Sequence, residues 1–347
     1  MTQISHLRQR LLAAGANPRH AQRVLRLWAH AMPQASGRRR LEDFMPRQLL
    51  EALPALMSQF NALARIASQH PGSDGSQRLL VELDDGQTCE SVLLLRGGLC
   101  VSSQIGCAVG CRFCMTGQGG LVRQIGSAEI VAQVVLARSI QPVKKVVFMG
   151  MGEPAHNLAN VMEAIEFLGT AGNIGHKSLV FSTVGDERVF DALPRSAVKP
   201  ALALSLHSTR ADLREQLLPR APRITPDDLI EAGHAYSLST GYPMQVQWTL
   251  LDGVNDTAQE VDGLVRLLKG KYAILNMIPY NMVTGLGYRR PAMEKAAALA
   301  RELHSRGVLT KLRNSAGQDV DAGCGQLRAR GTVIFTEHPS GQSRTAR

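Results

Sequence analysis

A chain of 347 residues with 44% hydrophobic side chains is long enough for one large domain, or a large and a small one, around a sizeable core. No apolar run approaches the ~20 residues that cross a bilayer, and no apolar stretch after Met1 makes a secretory leader, so a cytoplasmic protein with no membrane partner is expected. The net charge is +10 and unevenly spread: residues 1–80 hold 11 Arg against 4 Asp plus Glu, so 11 − 4 gives +7 there, Arg38, Arg39 and Arg40 included. Arginine forks fit phosphate, and a basic segment on an enzyme-like chain reads as a nucleic-acid footprint before it reads as a merely soluble surface. Six cysteines in an intracellular chain of this size point to metal or redox chemistry, not to a disulfide scaffold.

Residues 1–70 read as helical, with apolar positions at helical spacing between arginines from Pro18 to Trp28 and again from Leu41 to Ile66. Pro46 and Pro54 are expected starts or breaks, and Trp28 an expected core anchor. The turn-rich His70–Ser76 stretch marks a boundary. Residues 71–99 then read as a β-hairpin linker, with Arg78–Leu83 and Thr88–Leu95 joined across an Asp-Gly turn. Glu90 lies in the second strand, where alternation predicts an outward-facing carboxylate.

From residue 100 to 327 strands and helices alternate. The predicted strands are Lys145–Met149, Leu179–Thr183, Ala201–Leu206, Gln245–Leu250, Ala273–Ile278 and Leu309–Arg313. The predicted helices are Ala128–Ser139, Leu158–Leu168, Glu187–Leu193, Asp227–Ser237, Ala258–Leu268 and Met293–Ser305. Such alternation implies a parallel sheet with crossover helices, and six units suggest an α/β fold with a partial (β/α)6, TIM-like barrel. Residues 328–347 are expected to be a disordered tail.

Two features carry the chemistry. The first is Cys107-x3-Cys111-x2-Cys114, with Cys100 seven residues upstream of Cys107. Three close thiolates can hold iron or zinc; a closed zinc site takes four ligands, usually in two pairs, and only one Cys-x2-Cys is present, so an iron–sulfur cluster is favoured. The second is the set of strand ends, where a barrel gathers its chemistry: Gly150-Met-Gly152-Glu153, Ser182, Ser205-Leu206-His207 and Asn281. The glycines are expected to let the backbone approach a ligand, and Glu153 suits an ammonium group. Taken singly, Ser182, His207 and Asn281 read equally as cap, core and turn residues. Cys324, in Asp321-Ala-Gly-Cys-Gly-Gln just past the last strand, is not in a core-like apolar run.

These motifs together resemble the radical S-adenosylmethionine (SAM) RNA-adenine methyltransferases of the RlmN/Cfr family, from about Gln87 to Leu327. Cys100-Val-Ser-Ser-Gln-Ile-Gly-Cys107, Met149-Gly-Met-Gly-Glu-Pro154 and Asp321-Ala-Gly-Cys324-Gly-Gln-Leu carry the resemblance. It implies that Cys107, Cys111 and Cys114 ligate a [4Fe-4S] cluster, and that Gly152, Glu153, Ser182, Ser205, Leu206, His207 and Asn281 hold SAM, used twice per turnover. It implies that Cys324 is methylated and then yields a hydrogen to a 5′-deoxyadenosyl radical. The resulting carbon radical adds to carbon 2 or carbon 8 of an adenosine in 23S rRNA or tRNA. Cys100 would resolve the adduct through a transient disulfide with Cys324, and Glu90 would be the proton acceptor. A monomer is implied, with a helical accessory domain over residues 1–70 that helps bind RNA and an electron donor such as flavodoxin or ferredoxin. The segment Met115–Leu121 is closer to the Cfr-like form.

Two other readings compete. A radical SAM enzyme acting on a small molecule or a protein needs neither Cys324 nor the basic N-terminal segment. A metal-stabilised RNA-binding protein would be colourless, hold zinc and cleave no cofactor.

Overall fold

The computed structural model describes residues 1–328. Helices α1 (Ile4–Ala13), α2 (Pro18–Ala29) and α3 (Arg47–Asn61) come first. α2 begins where the Asn17 side chain accepts from His20 N at 2.9 Å and Pro18 occupies the first turn. Pro46 caps α3, but Pro54 does not break it: burial of Leu49, Leu53, Leu56 and Phe60 along one face holds the helix through the missing N–H. The helical expectation for 1–70 fails at its end, where residues 64–71 form strand β1 (Ala64–Pro71). Its burial alternates with a period of two, a pattern easily run together with the helix before it.

β1, β2 (Gln77–Leu83), β3 (Thr88–Leu94) and β4 (Gly98–Cys100) form an antiparallel meander. The hairpin is therefore not a linker. It is part of one ten-stranded sheet, and β3 lies between β2 and β4 with six of its seven residues buried. A separate ribbon of β5 (Gln104–Gly106) and β6 (Leu121–Gln124) brackets the cysteine loop.

Beyond it the strands run parallel: β7 (Lys145–Phe148), β8 (Leu179–Thr183), β9 (Ala201–Ser205), β10 (Met244–Leu250), β11 (Ala273–Pro279) and β12 (Thr310–Leu312). Crossovers are made by α4 (Ser127–Ile140), α5 (Leu158–Gly169), α6 (Glu187–Arg195), α7 (Ala211–Leu217) with α8 (Pro226–Thr240), α9 (Ala258–Leu268) and α10 (Met293–Ser305). The order β4-β7-β8-β9-β10-β11-β12 never reverses, so the sheet winds in one direction. Among the described residues β12 is an end of the sheet, so the barrel they form is open, the partial (β/α)6 architecture that the alternation predicts. Among the described residues no helix is long and apolar enough to cross a membrane. The tail expected over 328–347 lies, beyond Arg328, outside the described residues.

The N-terminal helices share the barrel's core. One apolar cluster runs from Leu7, Leu25 and Trp28 through Ile130 and Val134 to Phe148, Phe181 and Trp248. Trp28 packs edge-on against Phe60 with ring centroids 5.9 Å apart. Backbone contacts join the same parts: Ala128 N donates to Thr2 O at 3.0 Å, and Ile4 N to Ser127 Oγ at 2.9 Å. Gly126 makes this close approach possible, because a Cβ there would lie 2.2 Å from Thr2 O. Gly126→Ala therefore forces the N-terminal segment off α4. It is expected to destabilise the protein by about 1–3 kcal/mol, the usual cost of overpacking, and an unchanged melting temperature in calorimetry would contradict this docking.

Candidate active site

The cysteine loop is anchored by a glycine that has no substitute. Gly106 has φ +73°, and a Cβ on it would sit 2.0 Å from Gly120 O. That closeness lets Cys107 N donate to Gly120 O at 2.8 Å and close the base of the loop. Cys114 N donates to Cys111 O at 3.1 Å, and Gln118 Nε2 to Cys114 O at 3.0 Å. Val109, Phe113, Leu217, Leu218, Leu251 and Tyr280 form a small apolar bed under it.

Cys107 is buried; Cys111 and Cys114 are half-buried. Burial pushes Cys107 up to about 12, Cys111 well above the usual thiol range, and Cys114 upward. Cys107 and Cys114 raise Cys111 further, so the three thiols are close enough to feel one another. Among the described residues no three His, Cys, Asp or Glu side chains converge as ligands of a single ion would. A cubane cluster does not ask them to, because each thiolate takes its own iron. The donor set fits such a cluster, and loading it must displace thiol protons.

The strand ends surround this loop. Glu153 Oε1 accepts from Ala155 N and Oε2 from Val184 N, each at 3.0 Å. Burial raises this carboxyl to about 7. The glycines beside it also let the chain's own backbone come close. A Cβ on Gly150 would meet Val101 O at 2.7 Å, and one on Gly152 would meet Gln104 Cβ at 2.5 Å. The space over both is filled by the chain's own 101–104 segment, to which Glu153 N also donates, at Gln104 Oε1 (2.7 Å).

Ser182 is the next-to-last residue of β8, Ser205 ends β9, and Leu206 is buried. His207 takes φ +60°, its ring packed edge-on against Phe113 at 4.8 Å between centroids. Its Nδ1 accepts from Thr249 N at 3.0 Å, so the neutral ring carries its proton on Nε2. Burial, with Arg214 adding to it, lowers His207 to about 3. Asn281 Nδ2 donates to Ser315 Oγ (2.8 Å) and to Cys324 O (2.9 Å). Among the described residues its Oδ1 is buried without a partner, an acceptor that a donor on a bound ligand would satisfy.

The C-terminal segment lies across the loop. Met115 N donates to Gly325 O at 2.8 Å, and Thr116 Oγ1 to Leu327 O at 2.6 Å. Cys324 is solvent-accessible, yet enough protein surrounds it to push its thiol up to about 12, and Cys114 adds to that rise. Cys100 ends β4; burial and then Cys324 raise it to about 12. Cys100 and Cys324, 224 residues apart in the numbering (324 − 100), therefore lie close enough to couple electrostatically, as Cys324 does with Cys114. All six cysteines are free.

Glu90 departs from the outward-facing expectation. It is fully buried, ion-paired with Arg78 through Oε1, and Oε2 accepts from Arg328 N at 2.9 Å. Simple alternation fails because β3 is covered on both faces. Three further residues escaped sequence reading. Buried Arg214 donates to Val184 O and Ser205 O, is lowered to about 10 by burial, and is held up by Cys111 and Glu153. Gln104 supports Glu153, while Asn255 donates to His207 O at 2.7 Å. Arg214 had one faint signal, its place three residues before Leu217 on a helix that otherwise reads as a solvated charge run.

The comparisons agree with this geometry. The Radical SAM superfamily profile matches residues 101–268. A "Probable RNA methyltransferase" of Leptothrix cholodnii is 69% identical, over 94% of this chain and 94% of that one. Another so named, from Stutzerimonas stutzeri, is 63% identical over 98% of this chain and 99% of its own. Among solved structures, a radical SAM methyltransferase from Sphaerobacter thermophilus superposes with a TM-score of 0.81 at 32% identity, covering 94% of this chain and 98% of that one. With likeness of this degree over nearly the whole length, and a three-cysteine loop at the mouth of a one-way parallel barrel, the chain belongs to the radical SAM RNA methyltransferases.

Proposed function

We propose that this chain methylates a ring carbon of adenosine, carbon 2 or carbon 8, in ribosomal or transfer RNA, through a methyl group first carried on Cys324. One observation carries the reading: the Cys324 loop is hydrogen-bonded to the cysteine loop, with Cys100 alongside. In this reading Cys107, Cys111 and Cys114 hold the cluster. Gly152, Glu153, Ser182, Ser205, Leu206, His207 and Asn281 form the SAM site, where the orphaned Asn281 Oδ1 and the carboxylate of Glu153 are the acceptors on offer. When bound, the cluster and two molecules of SAM would supply an electron and the methyl carbon, a one-electron route that an electrophilic amidine carbon requires.

The protein's own part is positioning and sulfur chemistry. Cys324 holds the one-carbon unit as a thioether and places it against the base. Glu90, paired with Arg78, takes the proton that the ring carbon gives up, and the one electron left on the adduct would go back to the bound cluster. Cys100 then attacks the Cys324 sulfur. A sulfur–sulfur bond forms as the sulfur–methylene bond breaks; the electron pair stays on the methylene carbon, which takes a proton and becomes the methyl group. A thiol reductant returns both cysteines for the next turnover. Since burial keeps both thiols protonated in the resting chain, Cys100 must lose its proton at the moment of attack.

RNA as substrate is supported by the relatives' names and by the N-terminal arginines. Arg8, Arg19, Arg26, Arg38, Arg39 and Arg40 are exposed and, among the described residues, have no acidic partner.

Anaerobic reconstitution with iron and sulfide, then SAM, should leave one methyl group on Cys324 by peptide mass spectrometry; an intact cluster with unmodified Cys324 sinks the mechanism. Cys100→Ala should stop after a single event, leaving RNA covalently attached through Cys324 on a denaturing gel, and release of free methylated RNA over many turnovers would remove Cys100 from the resolving role. Replacing Arg38, Arg39 and Arg40 by Ala should weaken RNA binding and flatten its salt dependence, by up to about 0.9 in log–log slope for each phosphate that is no longer neutralised; an unchanged slope places the RNA elsewhere.

A further inference from the structure

The segment that carries Cys324 has little regular structure of its own. β12 ends at Leu312, and a single helical turn at Gln318–Val320 is all that follows among the described residues. The cysteine loop and Asn281 hold it from one side. From the other side it is gripped by the β1–β2 hairpin, more than 230 residues earlier in the chain.

The grip is made of side chains reaching backbone. Asp74 Oδ2 accepts from Gly317 N at 2.9 Å while its Oδ1 accepts from Ser76 N at 3.0 Å. In the reverse direction, Asp319 Oδ2 accepts from Ser73 N at 2.8 Å. Arg78 Nε donates to Val320 O at 2.6 Å and pairs with Glu90, whose other oxygen accepts from Arg328 N at 2.9 Å. Gly317 fits only as glycine: its φ is +63°, and a Cβ would meet Ala322 Cβ at 2.7 Å and Ser76 Oγ at 2.8 Å. These contacts fall on both sides of Cys324, at residues 317–320 before it and at residue 328 after it. A segment without regular structure, fixed at both shoulders, presents its middle residue at one place.

We propose that the β1–β2 hairpin is a clasp that positions Cys324, with Asp74, Asp319 and Arg78 as positioning residues. The inference rests on the reading of Cys324 as the methyl carrier, but the clasp itself is a property of the apo chain. Asp74 and Asp319 are exposed, so their removal spares the core, whereas loss of Arg78 strands a buried carboxylate.

The test is the Asp74→Ala/Asp319→Ala double variant beside Asp319→Asn, which keeps an acceptor for Ser73 N–H. In the apo protein, hydrogen exchange over residues 314–328 should rise roughly tenfold in the double variant, the scale of one or two lost hydrogen bonds, with β7–β11 unchanged. In the reconstituted enzyme, SAM cleavage should persist while methylation of Cys324 per cleavage falls by a similar factor, and Asp319→Asn should sit near wild type. Unchanged exchange overturns the clasp. Faster exchange with unchanged methylation per cleavage overturns its positioning role. A wild-type enzyme that never methylates Cys324 overturns the proposed reaction instead, and exchange alone then decides the clasp. If the double variant loosens β7–β11 too, single Asp319→Ala carries the comparison.

Discussion

Two hydrogen bonds hold the site together: Met115 N to Gly325 O and Thr116 Oγ1 to Leu327 O. They tie the first loop of the barrel to the segment after its last strand. The tightness of the join is set by Gly325, at φ +85°, where a Cβ would lie 3.1 Å from Phe113 O. These contacts join the grip of Asn281 and the β1–β2 hairpin in bringing the Cys324 thiol near Cys114 and Cys100. The open barrel makes the arrangement possible. A closed barrel would have its last strand paired to its first, whereas among the described residues β12 is an end of the sheet and the chain runs on to the Cys324 segment.

Much of this was legible in the sequence, for reasons that differ by residue. The six strand–helix alternations are written in local periodicity, so β7 to β12 fall within a residue or two of their predicted bounds. The cysteine spacing is local too. What the sequence hid was tertiary. β1 lost its identity because the alternation of Ala64–Pro71 follows α3 after two residues. The hairpin read as a linker because nothing local says that β4 pairs with β7. Glu90 read as outward-facing because alternation assumes one wet face, and β3 has none. At Gly150 and Gly152 the sequence signals a close approach without saying of what, and the structure shows one such approach, by the 101–104 segment. Arg214 was invisible because a seven-residue helix rich in charge has no periodicity long enough to mark its buried face.

The buried charges divide into two kinds, and the division says which parts of the molecule are complete. Arg78 and Glu90 answer each other, and Glu260 is met by Ser208 Oγ (2.5 Å), Thr209 N (2.7 Å) and Thr209 Oγ1 (2.6 Å). These groups are partnered within the chain itself, and each fixes a segment: the residues flanking Cys324 in one case, the His207–Thr209 turn in the other. Around the cysteine loop the balance is different. Glu153 is raised to about 7, His207 lowered to about 3, Arg214 lowered to about 10, and Cys107, Cys100 and Cys324 raised to about 12. Burial is the first cause in every case, and each shift favours the uncharged form.

A cavity that penalises charge in this way is finished by what enters it. Arg214 has carbonyl partners for one nitrogen and none for Nε, and the charges that favour its ionised form are those of Cys111 and Glu153. Deprotonating Cys111 therefore relieves Arg214 and costs most where no cation accompanies the thiolates. The bare chain resists forming thiolates one at a time, and it welcomes them together with positive charge. The same low-dielectric surroundings keep Cys100 and Cys324 as thiols, and in the proposed reaction they stay reduced until the chemistry at Cys324 converts that sulfur into an electrophile.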